Sequence, residues 1–170
     1  MALNFNIKEE NMENNSTYVA VLKSTLIRKY NVLLELEKIM ERFDKILSLD
    51  DIDTDSMDKI LDERQTAIKQ IEDLDAGFES IYSKVEVEIK NNRVMYEKEI
   101  KQMQEYIPKI TELGVTISAM ETRCKAKFEI FFSKKRTQVK NFKLSSRTVA
   151  NYYKNSYGGG VGVSMLDSKK

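Results

Sequence analysis

Apolar residues recur along this chain at alternating three- and four-residue steps, the spacing of one face of an α-helix. The first run is Val19, Leu22, Leu26, Leu33, Leu36, Met40, Phe43 and Leu47, broken only where Lys29 takes an expected apolar slot. It predicts a helix over about 17–47, on the order of 45 Å long at 1.5 Å per residue. Glu37, Lys38, Glu41, Arg42 and Lys45 occupy its opposite, solvated face. The Asp-rich stretch Ser48 to Ser56 reads as a turn, with Asp55 and Asp58 as cap and first-turn carboxylate of the next helix. That second run is Met57, Ile60, Leu61, Ala67, Ile68, Ile71, Leu74, Phe78, Ile81, Val85 and Ile89, with Gly77 inside it.

Lys90-Asn91-Asn92-Arg93 holds no apolar residue and predicts the second bend. A third run follows from Met95 and Tyr96 through Ile100, Met103, Ile110, Leu113, Ile117, Met120, Cys124 and Phe128 to Phe131. Pro108 lies within it and lacks the N–H that a helix interior uses. The seam keeps phase across Pro108 and Gly114, which favours a kink there over a break with a fourth helix from about Lys109. The fold class expected is therefore all-α: an elongated up-down-up antiparallel bundle of three long helices, the third kinked near Pro108. Residues 1–15 read as a disordered leader, 16–144 as the bundle and 145–170 as a flexible Gly-containing tail. One hairpin cannot cover three apolar seams, so a bundle or a dimer must form.

Composition narrows the chemistry. The 170 residues include no His, no Trp and one Cys, Cys124. Without His the chain lacks the usual general base near neutral pH and the commonest metal ligand. A single Cys makes neither an intrachain disulfide nor a thiolate-rich zinc site. No enzyme, metal or cofactor is expected on these grounds. No run of about 20 apolar residues is present, so no membrane span is expected. The polar N-terminal stretch does not resemble a signal peptide. A reducing cytoplasm is the expected location.

The formal charge of +1 conceals an asymmetry. Residues 1–120 hold 16 Lys and Arg against 24 Asp and Glu, whereas residues 121–154 hold 10 against 2. An acidic body therefore carries a basic arm. Asp51, Asp53 and Asp55 match the opening of a calcium loop, but Ser56, Lys59 and Asp62 fall where Gly, a further ligand and a bidentate Glu belong. The turn reads as a solvated helix cap. Gly158 and Gly160 open a phosphate-loop pattern that Val163 ends, so the Gly-rich segment reads as a linker. In the arm, Lys125, Lys127, Lys134, Lys135, Arg136, Lys140, Lys143 and Arg147 interleave with Phe128, Phe131, Phe132, Phe142, Tyr152 and Tyr153. Three readings stay open: a helix end packed on its own bundle, a nucleic-acid surface, and a surface for another protein. The acidic body opposes nucleic acid, and none is expected as a partner.

Several segments resemble the FlgN-type flagellar export chaperones, in the divergent form of Gram-positive anaerobes. They are the long Leu-rich helix ending in an acidic turn, and Asp62-Glu63-Arg64-Gln65-Thr66-Ala67-Ile68 with Ile71-Glu72-Asp73-Leu74. The third is Phe131-Phe132-Ser133-Lys134-Lys135-Arg136 leading to Tyr152-Tyr153-Lys154-Asn155. The resemblance covers about residues 17–157. It implies a cytoplasmic chaperone that holds the helical ends of hook–filament junction proteins and brings them to the type III export gate. It also implies client binding by Phe128, Phe131 and Phe132, and gate binding by Tyr152, Tyr153 or Tyr157. Apolar periodicity that continues into the basic segment extends the expected client strip over about 115–140, with Ile117, Met120 and Cys124 on it. The sister chaperone for the filament-cap protein, a homodimeric coiled-coil protein and a nucleic-acid-binding helical protein are the alternatives. Monomer and homodimer both fit.

Overall fold

The computed structural model describes the backbone of residues 2–138 and the side chains of residues 13–135. Three helices form in chain order: α1 (Ala2–Ile46), α2 (Thr54–Asn91) and α3 (Glu97–Gln138). The fold is all-α, as the periodicity predicts. α1 begins at Ala2, so the stretch 1–15 expected as a disordered leader is helical from its second residue. Nothing between Ala2 and Ser16 is Gly or Pro, so no residue there breaks a helix propagating back from the packed seam downstream, although its five Asn are poor helix formers.

The first turn is set by Asp53, not by Asp55. The Asp53 carboxylate accepts from the Ser56 backbone N–H at 3.2 Å, from the Ser56 hydroxyl at 2.5 Å and from the Asp55 N–H at 3.4 Å. These satisfy donors that the start of α2 leaves without helical partners. Those contacts hold its carboxyl below the ordinary carboxylate value. Asp58 behaves oppositely: burial, then the charges of Asp62 and Asp55, push its carboxyl up.

α3 runs unbroken through Pro108, so no fourth helix starts at Lys109 among the described residues. Pro108 and Gln104, four residues before it, are both exposed. The carbonyl that Pro108 leaves without its helical donor thus lies on the solvated side, where water can serve it.

Each helix contributes to two compact units. The first combines α1 up to Asn31 with Glu72–Ile110. Val19, Leu22, Val85, Tyr96 and Met103 are buried within it, while Leu74, Phe78, Ile81 and Ile89 of the second apolar run are only half-buried. Tyr30 meets Tyr106 edge-to-face at 5.7 Å, and Lys29 donates to Asp75 at 2.6 Å. The second unit combines Val32–Ile71 with α3 from Thr111. Its core is fuller: Leu33, Leu36, Met40 and Phe43 of α1, Met57, Ile68 and Ile71 of α2, and Ile117, Cys124 and Phe128 of α3 are all buried in it. Burying each large apolar side chain is worth roughly 1.5–3 kcal/mol, and within the second unit the seams of the three helices are covered by one another.

Gly77 is exposed on α2, and a Cβ placed there would meet nothing within 4 Å. Gly77→Ala is therefore expected to stabilise the protein by about 0.5–1 kcal/mol through the lost entropy of the unfolded glycine. Urea unfolding of the two proteins checks it, and an unchanged or lower midpoint would contradict the open-space geometry.

Candidate functional site

The amphipathic pattern of α3 carries its apolar face on into the basic segment, and packing shows what that face serves. Ile117, Met120, Cys124, Phe128 and Phe131 are all buried in the core of the second unit, and Phe132 is half-buried. The Phe128 ring lies 6.2 Å from Phe43 of α1, tilted by 46°, and 6.3 Å from Phe132, nearly parallel to it. In this structure the positions expected to form a client strip are therefore packed into the bundle, with only Phe132 partly open. Periodicity identified the face but not its occupant.

Asp44, at the end of α1, gathers the cations of this part of α3. It accepts from Lys127 at 2.8 Å and from Arg123 at 3.0 Å, with the Cys124 sulfur 3.8 Å away. Burial alone would push its carboxyl up. The Lys127 and Arg123 donors more than offset that and hold it below its ordinary value. Lys127 also donates to the Ser48 hydroxyl at 2.8 Å, so one ammonium ties α3 to both the end of α1 and the turn after it.

A folded-state carboxyl that is depressed stabilises the protein above its unfolded value and ceases to do so as pH falls through the folded one. Acid below about pH 4 should therefore loosen the α1–α3 contact, and Asp44→Asn should flatten that part of the stability profile. Chemical denaturation at pH 3, 5 and 7 checks this. Equal acid sensitivity in the variant would remove Asp44 as the cause.

Cys124 is buried, and burial with the neighbouring Asp44 and Glu121 charges pushes its thiol up to about 12. It stays protonated at neutral pH, with its sulfur 4.0 Å from the Met40 carbonyl oxygen. It packs as a small apolar side chain and is not a nucleophile in this setting. Among the described residues no group of three or more His, Cys, Asp or Glu is arranged to hold a metal ion, and no helix is long and apolar enough to cross a membrane.

What α3 does present is an open cleft of about 270 Å³ where the α1–α2 turn meets its last turns. Leu47, Leu49, Ile52, Ile130 and Phe131 supply apolar lining, and Asp50, Lys127, Lys134 and Lys135 stand around it. Leu49 is 58% exposed and Ile130 57%, among the larger apolar exposures of the second unit. Lys135 reaches toward the fully exposed Asp51, at 3.9 Å. Several cations of the basic arm are thus engaged with carboxylates of the bundle. That favours a helix end integrated with its own fold over a row of charges dedicated to phosphates.

Leu49 and Ile130 did not stand out in the sequence because neither sits on a seam. Their signal was of another kind. Ile130 falls one residue before Phe131 and outside the three–four rhythm, and Leu49 is an apolar residue in a polar turn. Tyr152, Tyr153 and Tyr157, expected to engage the export gate, lie outside the described residues, as does the Gly-containing tail. The geometry defines a three-helix bundle with an apolar, lysine-bordered cleft at one turn. No family model, curated protein or solved structure matches the chain.

Proposed function

We propose that the chain is a helical protein-binding module serving as a cytoplasmic flagellar export chaperone, which takes a helical end of a hook–filament junction protein. The supporting observation is the cleft beside the α1–α2 turn, where Leu49 and Ile130 remain exposed beside Lys134 and Lys135. An amphipathic helix docks by placing apolar anchors in such a cleft while its polar flank meets the rim. The same place carries Phe131-Phe132-Ser133-Lys134-Lys135, one of the segments in which the chain resembles the export chaperones. Delivery to the export gate through Tyr152, Tyr153 or Tyr157 belongs to the same proposal.

The test is capture from a motile cell extract by the full chain and by Leu49→Glu with Ile130→Glu. Both substitutions alter exposed side chains, so the bundle is kept. Hook–filament junction proteins on the parent, reduced at least about tenfold on the variant, support the proposal; a tenfold loss corresponds to about 1.4 kcal/mol of binding. Recovery of the filament-cap protein selects the sister chaperone. No flagellar protein on either overturns the reading.

A further inference from the structure

Three charged side chains occupy apolar seam positions. Lys29 falls between Leu26 and Leu33, Arg64 between Ile60 and Ala67–Ile68, and Glu121 between Ile117 and Cys124. They are 3%, 1% and 5% exposed, as deeply buried as the aliphatic residues around them. Each has a partner on another helix: Lys29 on α1 meets Asp75 on α2, and Arg64 on α2 meets Glu121 on α3, at 2.6 and 2.7 Å between the charged atoms. An apolar seam alone discriminates poorly. Leu, Ile and Met substitute for one another, and a third amphipathic helix can lie on either side of a helical hairpin, or be exchanged with a second copy of the chain. A buried charge discriminates sharply, since every arrangement but one leaves it desolvated without its partner.

We infer that the Arg64–Glu121 pair selects how α3 docks on the α1–α2 hairpin, choosing one arrangement from several that the apolar seams alone would accept. Lys29 with Asp75 plays the corresponding part between α1 and α2. The inference concerns the bundle's uniqueness and does not rest on the proposed function. Single polar residues on otherwise apolar helix seams do set register and oligomeric state in coiled coils, at a cost in stability.

The test uses the full chain in a Cys124→Ala background, spin-labelled on α2 and α3 after Thr66→Cys and Thr122→Cys, both exposed positions. The parent pair should give a single narrow distance. With Arg64→Met and Glu121→Leu together, helicity should persist. A second distance population on the order of a tenth of the molecules, or a solution mass different from the parent's, is then expected. A double variant that keeps the parent's single distance and mass would overturn the inference. One that fails to fold would also overturn it, because the pair would then be holding the fold up and not choosing its arrangement.

Discussion

Arg64→Met alone should cost about 3–5 kcal/mol of stability, the largest loss expected from a single charged side chain in this protein. The guanidinium donates to Glu121 at 2.7 Å with both side chains almost fully buried, and methionine keeps an unbranched apolar stem but neither the guanidinium nor its charge. Removing it leaves a carboxylate in the core without its cation. That penalty is far larger than the net worth of the pair, because each ion already lost most of its hydration on folding. Arg64→Met with Glu121→Leu removes both charges and should return stability to near or above that of the parent. The cycle is measurable by guanidinium unfolding followed by circular dichroism, provided the single and double variants share the parent's slope. A single-variant loss below about 1 kcal/mol would mean that water reaches Glu121, placing the pair in the range of exposed salt bridges.

Arg42 with Glu63 shows the contrast within one unit. They join the same two helices as the core residues around them, but both side chains are substantially exposed, and Lys90 with Glu86 and Lys101 with Glu97 are exposed pairs within single helices. Such contacts each contribute only tenths of a kcal/mol. Burial, not proximity, separates the few charges that shape this fold from the many that solvate it.

The seam of α1 was legible residue by residue, because a helical stripe is a local property: spacing alone places Val19, Leu22, Leu33, Leu36, Met40 and Phe43 on one face, and all are buried. The bend after α2 was legible to within a few residues: the apolar-free stretch 90–93 overlaps the connection, which spans 92–96 and also takes in Val94, Met95 and Tyr96. The cap of α2 was placed two residues late. Asp53 and Asp55 are both acceptable cap residues, and only the Ser56 hydroxyl and N–H decide between them. Lys29 showed in the sequence as a gap in the seam, but its partner lies 46 residues away, and nothing local announces Asp75. Arg64 and Glu121 lie 57 residues apart and were hidden in the same way. For the candidate site, the pattern located the apolar face of α3 but not what packs on it, because a period of 3.6 reports that a face needs covering and not which surface covers it. The exposed pair Leu49 and Ile130 needed three-dimensional information, since a turn residue and an off-seam helix residue meet only through the packing of α1 on α3.

Phe128→Ala should destabilise the protein by about 3–5 kcal/mol, the range for truncating a fully buried aromatic. The ring is completely buried, with Phe43 on one neighbouring helix and Phe132 one turn further along its own. Alanine removes the six ring carbons from a fully buried site packed against α1 and its own helix, so collapse to fill the void is limited and much of the cavity stays open. Thermal unfolding should fall on the order of 10 °C, since each kcal/mol shifts the midpoint of a protein this size by roughly 2–4 °C. Ile130→Ala, two residues along the helix and largely exposed, should change stability by no more than about 0.5 kcal/mol. The pair of variants separates two uses of the same helix. If Phe128 served an exposed client surface, its truncation would leave unfolding nearly untouched and weaken binding alone. In a core role, any loss of client follows from loss of fold and is recovered when the variant is assayed well below its own midpoint. Ile130→Ala should show the reverse, with binding weakened at a midpoint close to the parent's, because its side chain borders the cleft and contributes little to the interior.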